Sequence, residues 1–370
     1  MNVITAYSNK ENLEQITQDL KQQFGEFDAK MVLFFASSTF DPDQTAAQMQ
    51  TAFQNIPVFG CTTAGEIVTG KMLKNSIVAM AFNADIIEDI DIQIVENLSN
   101  GDTQGVDHAF ANFTQHFNQQ VLTMDISQYV GIILIDGLSG AEERIMDRVG
   151  DLTNLLFVGG SAGDDVKFEK TYVYANGKAY SDAALLALMK PKIKFDILKT
   201  QSFCELDQKL IATKVNEPER TIIEFNNKPA TVAYAEAVGC SVEDAANYFM
   251  LNPVGLMVGD EPYVRSPQQI QDQNIVFYCN VLEDTELSLL EAQDMIADTK
   301  QALDNKQTEM GSISAIINFH CILRTLELEA KDLMEDYGQI FADIPTIGFS
   351  TYGESYIGHI NQTSTMLMFK

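Results

Sequence analysis

Few residues in this chain have the capacity for chemistry, and their spacing is restrictive. There are four histidines, His108, His116, His320 and His359, and five cysteines, at 61, 204, 240, 279 and 321. No H-E-x-x-H, no acidic series with EF-hand spacing and no C-x-x-C occurs, so a metal cage is not expected. His108 and His116 sit among Phe110, Phe113 and Phe117, which reads as an aromatic-rich helix. His320 and Cys321 are neighbours at the end of a strand, where successive side chains point to opposite faces. They therefore do not form a Cys-His dyad, although either alone could face a pocket. His359 lies in a Gly-His-Ile-Asn-Gln-Thr stretch and could contact a ligand or serve as the axial ligand of a b-type haem; the plain alternative is a hydrogen-bonded loop histidine. Covalent haem attachment is excluded by the lack of C-x-x-C-H. Cys61 follows a strand within a glycine loop, where a nucleophile could be exposed, but no base can be assigned to it and no G-x-S-x-G elbow exists. A Cys-dependent hydrolase ranks last, and the chain is read as no enzyme.

The repeated loops carry more information. Ile56-Pro57-Val58-Phe59-Gly60-Cys61-Thr62-Thr63-Ala64-Gly65-Glu66 and Ile344-Pro345-Thr346-Ile347-Gly348-Phe349-Ser350-Thr351-Tyr352-Gly353-Glu354 both fit I-P-x-x-G-x-[ST]-T-x-G-E. A shorter form, Ser161-Ala162-Gly163-Asp164, follows a similar strand, helix and strand, so three settings look equivalent. The plain reading is a turn in which glycine allows positive φ and the hydroxyl bonds nearby backbone. The sharper reading makes Cys61, Thr62, Thr63, Glu66, Ser161, Asp164, Thr351, Tyr352 and Glu354 the lining of a small-molecule pocket between two halves, with Cys321 beside it. Phosphate is a poor ligand, because neither a Walker pattern nor a strand-linked G-x-G-x-x-G occurs and the loops hold no lysine. An ammonium or neutral polar group suits the acids better.

The elements that must position these residues read as interleaved strands and helices. Leu13, Ile16, Leu20 and Phe24 mark a helix introduced by Ser8 and Glu11 and stopped by Gly25; Ser139 and Glu142 open another with Ile145, Val149 and Leu152. Leu289, Ala292, Ile296, Thr299 and Leu303 suggest one face of a long helix, and Leu326, Ala330, Leu333 and Tyr337 another. Apolar or β-branched runs such as 31–36, 77–82, 130–135, 313–319 and 366–369 read as strands. The class is α/β, mixed α+β, with two related domains built from repeated strand-helix-loop-strand units, 1–220 and 221–370, joined near the polar stretch 216–220. A formal charge of −28 repels nucleic acid and anionic membrane, while 46% hydrophobic residues supply enough apolar surface for a folded core. No run approaches the length of a membrane helix, the N-terminus lacks a signal-peptide pattern, and the odd, scattered cysteines suit reduced thiols, so a cytoplasmic location is expected.

In this order, Gly60–Ile67, Val158–Asp164, Asn252-Pro253-Val254-Gly255-Leu256 and 344–354 followed by His359 and Asn361-Gln362-Thr363 resemble the FIST family of bacterial sensory proteins, over roughly residues 30 to 368. The resemblance implies an N-terminal and a C-terminal FIST domain that bind a small molecule, amino-acid-like in many members, and pass the state to a signalling enzyme. The NosP-type subset binds haem, senses nitric oxide and regulates a partner histidine kinase or cyclic-di-GMP enzyme. The stand-alone two-domain layout is similar to that subset, and with His359 it makes a haem-dependent nitric oxide sensor the leading expectation. A sensor of an amino acid or similar polar metabolite is the alternative. A homodimer is compatible with either. Two departures stand out: the family's C-N-G-R-G-like stretch is His320-Cys321-Ile322-Leu323-Arg324 here, and its H-N-x-T pattern carries one extra residue. Arg265 and Arg324 could neutralise a ligand carboxylate or a haem propionate, or could pair with the chain's many acids.

Overall fold

The computed structural model describes residues 2–370, which form two compact units. The larger takes the chain up to Lys199, Lys300–His359 and Ser364–Lys370; the smaller takes Thr200–Thr299 and Ile360–Thr363. Within the larger unit one pattern, strand-helix-strand-helix followed by four strands, is written three times. The first copy is β1 (Val3–Ser8), α1 (Leu13–Phe24), β2 (Met31–Ser37), α2 (Pro42–Ala52), β3 (Val58–Thr63), β4 (Glu66–Val68), β5 (Lys71–Leu73) and β6 (Ile77–Phe82). The second is β7 (Ile87–Glu96), α3 (Gln104–His116), β8 (Val130–Ile135), α4 (Glu142–Leu152), β9 (Phe157–Ser161), β10 (Val173–Ala175), β11 (Lys178–Tyr180) and β12 (Ala183–Pro191). The third begins with β13 (Phe195–Thr200) and is then interrupted by the smaller unit, β14 (Phe203–Asn216), β15 (Thr221–Phe225), β16 (Lys228–Pro229), α5 (Ala230–Val238), β17 (Val254–Val258), β18 (Glu261–Arg265), β19 (Pro267–Gln271), β20 (Asn274–Phe277) and β21 (Glu286–Ala292). It resumes with α6 (Met295–Met310), β22 (Ala315–Cys321), the helix pair α7 (Ile322–Ala330) and α8 (Met334–Gln339), β23 (Thr346–Thr351), β24 (Glu354–Tyr356), β25 (His359–Ile360) and β26 (Ser364–Phe369).

Each copy lays down four strands in the same order, β1-β6-β2-β3, β7-β12-β8-β9 and β13-β26-β22-β23, and each sheet is completed by the hairpin of another copy. The hairpin β4-β5 of the first copy pairs with β23 of the third, β24-β25 of the third with β9 of the second, and β10-β11 of the second with β3 of the first. The exchange closes a ring of three sheets, and it covers strand edges that would otherwise invite association. In each sheet the two central strands are parallel across a helical crossover. Strand alternation sends Met31, Leu33 and Phe35, then Val130, Ile132 and Leu134, then Ala315, Ile317 and Phe319, into one core where the three sheets meet. Phe35 and Phe349, from different copies, have ring centroids 4.5 Å apart there. Truncating such a ring to alanine costs about 3–5 kcal/mol. The opposite faces of the first two sheets pack apolar helices: Ile16, Leu20 and Met49 on the first, Val106, Phe113, Ile145 and Val149 on the second.

The smaller unit is an antiparallel sheet in the order β18-β17-β21-β14-β15-β20-β19, with β16 beside β15. β18 and β19 end that order, yet only Ser266 separates them in the chain, which forces the sheet to curl nearly closed. Phe225, Tyr234, Phe277 and Leu289 fill its core. No helix among the described residues is long and apolar enough to cross a membrane.

Several expected elements move. The first helix is capped by Asn12, whose Oδ1 accepts from the amides of Glu14 and Gln15 at 2.9 and 3.3 Å, while Ser8 ends β1 and donates to Asp19. Leu289 and Ala292 belong to β21, so the long helix starts only at Met295; their spacing fits both periods over so short a run. The helix expected through Leu326 and Tyr337 is two, broken where Asp332 takes a positive φ of 57°. The mixed α/β class holds. The C-terminal part of the chain is shared between the two compact units, and the repeated unit occurs three times.

Candidate functional site

Strand register fixes which residues of the three copies are equivalent. Phe34 pairs with Gly60, Ile133 with Gly159 and Asn318 with Gly348. At all three glycines an added Cβ would fall on the paired residue's carbonyl oxygen, 1.6 Å from that of Phe34, 1.7 Å from that of Ile133 and 2.3 Å from that of Asn318. The repeated feature is therefore Gly60-Cys61-Thr62, Gly159-Gly160-Ser161 and Gly348-Phe349-Ser350, a G-x-[ST] followed by the handover to the next sheet. The handover itself is a hydrogen bond in each copy: Ala64 N to Ser350 O at 3.1 Å, Gly163 N to Thr62 O at 3.0 Å, and Tyr352 N to Ser161 O at 3.1 Å.

These joints place the residues expected from the sequence. Glu66 and Glu354 are true equivalents, opposite Phe349 and Gly160, but the second copy carries Val173 at that point, opposite Cys61. Asp164 lies in a longer loop of its own, which corrects the threefold reading of the acids. Its carboxylate accepts from the Tyr352 hydroxyl and from the amides of Phe168, Glu169 and Lys170, the last three at 2.9, 2.6 and 3.0 Å. Burial pushes its pKa up, but these donors outweigh it and hold the carboxyl below the ordinary value. Glu66 is buried, accepts from Thr63 and from the amide and hydroxyl of Ser76 (3.1 and 2.6 Å), and is raised to about 7 chiefly by desolvation. Thr62 bonds the backbone of Tyr172, Ser161 donates to Glu142 at 3.2 Å, and Thr351 donates to Gly353 O at 2.6 Å. Cys61 is in the core, where burial pushes its thiol well up. A neutral thiol shut inside a core is no nucleophile, and this removes the hydrolase reading. Arg265, on β18, belongs to the smaller unit, apart in the chain's division from Arg324.

The haem expectation can be set against His359. The residue is buried, and its imidazole lies against the main chain of Gly353: a Cβ there would be 2.1 Å from Cε1 and 2.9 Å from Nε2. The Cε1–Nε2 edge of the ring is packed against backbone, which leaves little room for an iron on that side.

A different set of side chains converges on the helix-facing side of the third sheet. By register, the positions occupied by Phe34, Ala36 and Ile77 in the first copy, and by Ile133, Ile135 and Ala184 in the second, are Asn318, His320 and Ser364 in the third. All three are buried. The Tyr337 hydroxyl of α8 donates to Ser364 Oγ at 3.1 Å, and Ser364 Oγ donates to Asn318 Oδ1 at 2.7 Å. Thr325 and Ser350 share a hydrogen bond of 2.7 Å, and the Tyr337 ring lies 4.5 Å from that of His320, tilted by 45°. The guanidinium of Arg324, fully buried in the first turn of α7, comes close enough to act on His320: burial first, then Arg324, holds its pKa well below the ordinary histidine value. Neither ring nitrogen of His320 has a hydrogen-bond partner among the described residues, nor has Asn318 Nδ2. A neutral imidazole carries one donor and one acceptor and the Asn318 amide nitrogen two donors, so this face offers three N–H donors and one acceptor that no described residue uses.

Cys321, Arg324 and Glu354 among the expected residues are buried near the ends of β22, α7 and β24. Asn318, Ser364 and Tyr337 escaped sequence reasoning, and His320 was weighed but not chosen. The signal was present: AIINFHC places Asn318 and His320 on alternate positions of an otherwise apolar strand, where the matching positions of β2 carry Phe34 and Ala36.

Fold and site together define a mixed α/β module of three interlocked copies in which one copy has exchanged an apolar helix seat for a buried polar one. Residues 30–228 match the FIST N domain and residues 230–356 the FIST C domain. The chain belongs to the FIST family, whose domains are sensory modules of signal transduction. It is also similar to an uncharacterized protein of Methanocaldococcus jannaschii, 22% identical over 312 residues, an alignment that takes in 78% of this chain and 59% of that relative's length.

Proposed function

We propose that this chain senses a small polar metabolite, of the amino-acid class, held on the buried face formed by Asn318, His320, Arg324 and Tyr337. Its bound state would be passed to a partner such as a histidine kinase or a cyclic-di-GMP enzyme. The observation that carries this reading is the substitution of Asn318 and His320 for paired apolar residues in both other copies, with both imidazole nitrogens left without a partner. Burying polar atoms unpaired costs about 1–3 kcal/mol each. A chain that holds two apolar versions of the same seat carries that cost only where the polar atoms have a use. A carboxylate would be drawn to Arg324 and to the imidazole N–H, an amine or hydroxyl to the imidazole acceptor. The face is covered by the helix pair, through Arg324 and Thr325 of α7 and Tyr337 of α8, so a ligand would enter by displacing these helices.

The test is a thermal-shift and calorimetric screen of the twenty amino acids and common small carboxylates against the full chain. A ligand should raise the melting temperature in proportion to ln(1 + [L]/Kd), and the shift should vanish in His320→Leu. Binding that survives this substitution unchanged would refute the placement. An absorption spectrum after haem addition serves the other expectation: a Soret band lost in His359→Ala would return haem to His359.

A further inference from the structure

The smaller unit is inserted into the third copy alone and runs to Thr299, in the first turns of α6, the helix that precedes β22 with its Asn318 and His320. The same copy also gives up four residues near its end. After His359 the chain leaves the larger unit, contributes Ile360–Thr363 to the smaller one, and returns at Ser364. The corresponding links in the other copies, between β5 and β6 and between β11 and β12, stay within the larger unit.

Inside the smaller unit this segment is gripped by one side chain. Gln362 is buried, its Nε2 donates to Met250 O at 2.9 Å, and its Oε1 accepts from Ser266 Oγ at 2.7 Å. Its backbone has a φ of 52°, a left-handed conformation that a residue other than glycine rarely adopts unless its surroundings require it. Ser266 is the single residue between β18 and β19, and Met250 lies just before β17. The grip therefore falls on the segments that turn the small sheet back on itself. Ser364, two residues beyond Gln362, is the serine that joins Tyr337 to Asn318 on the polar face.

We infer that Gln362 couples the polar face to the smaller unit, so that a change in the Tyr337–Ser364–Asn318 chain is read out at Met250 and Ser266. A ligand that competes for Asn318 or moves Tyr337 with α8 must release or shift Ser364. Two peptide units then separate that shift from a side chain held at both ends. Coupling of this kind is reciprocal: whatever the smaller unit binds would alter affinity at the polar face by the same factor. The inference rests on the proposed site for its biological sense, but the coupling itself can be tested without the ligand.

Hydrogen exchange of the full chain is compared for wild type, Ser364→Ala, Gln362→Ala and the double variant, with circular dichroism to establish that each is folded. Ser364→Ala should speed exchange severalfold in peptides covering residues 245–270, and in the Gln362→Ala background it should add nothing there. Ser266→Ala gives a second, milder way to cut the same link, with the same expectation. If the effect of Ser364→Ala stays within 315–345 and 364–370, or if it reaches 245–270 equally with Gln362 replaced, the coupling is refuted. A screen that finds no ligand while exchange behaves as expected would sink the proposed site alone. A ligand bound through His320 that leaves 245–270 unchanged would sink the coupling alone.

Discussion

Replacing His320 by leucine should stabilise the ligand-free protein and abolish its response to ligand. The two side chains are close in size, and both copies of the seat that lack the histidine are lined by apolar residues. Removing two buried polar atoms without partners regains about 2–4 kcal/mol, from which an imperfect shape match takes back about 1.5 kcal/mol. A net gain of about 0.5–2.5 kcal/mol should raise the melting temperature of a unit this size by about 2–4 °C per kcal/mol. The pH dependence gives a second reading. His320 has a folded pKa held well below its unfolded value of 6.5, so between the two the unfolded chain binds the extra proton. Stability is then intact above the unfolded value and is lost as pH falls below it, at up to about 1.4 kcal/mol per unit. Urea unfolding from about pH 8 to about pH 5.5 should show this slope reduced in His320→Leu, with the gap between variant and wild type widening as the solution is acidified. A variant less stable than wild type at about pH 8, with an unchanged slope, would mean that the imidazole is satisfied and structural.

Glu66 predicts the opposite trend. Its pKa is about 7 when folded against 4.5 unfolded, so the native state holds a proton that the unfolded chain has lost. Its contribution is undiminished below about pH 4.5 and falls by about 3 kcal/mol as pH rises through 7. Glu66→Gln should flatten the stability profile between about pH 4.5 and about pH 7; an unaltered profile would place the titration elsewhere. Gly159→Ala should cost about 3 kcal/mol or more, because its Cβ would meet the Ile133 carbonyl and neither central strand can yield. Denaturant unfolding within about 0.5 kcal/mol of wild type would show that the glycine has no steric duty and that the threefold equivalence is misassigned.

The strands that form the shared core were legible because they are short, nearly pure apolar runs; Ile77–Phe82 and Val130–Ile135 are found where the pattern puts them. What failed has a physical reason in each case. β7 reads as acidic and polar, IEDIDIQIVE, because as an outer strand it keeps one side toward solvent. The long insertion after β13 separates the third copy's first strand from the rest of that copy, and the longer loop after Ser161 puts Asp164 where the pattern suggests an equivalent of Glu66, although Val173 holds that place. The polar face was within reach, since Asn318 and His320 stand two apart in a strand. Nothing in one strand says that its neighbours across a helix are polar too, and only register brings Ser364 and Ser350 to them.

The asymmetry among the copies argues that the third is where function was placed. Three interlocked sheets need each copy's inner face to remain apolar, because all three share one core, and in this chain all three do. The helix-facing side is not part of the core shared by all three copies, so a polar substitution there leaves that core intact. The third copy has used that freedom twice, by opening its chain before α6 to admit a second unit and by turning its helix seat polar. Two such departures in the same copy, joined through Ser364 and Gln362, are economically explained by a single requirement, that what happens on the polar face be felt in the inserted unit.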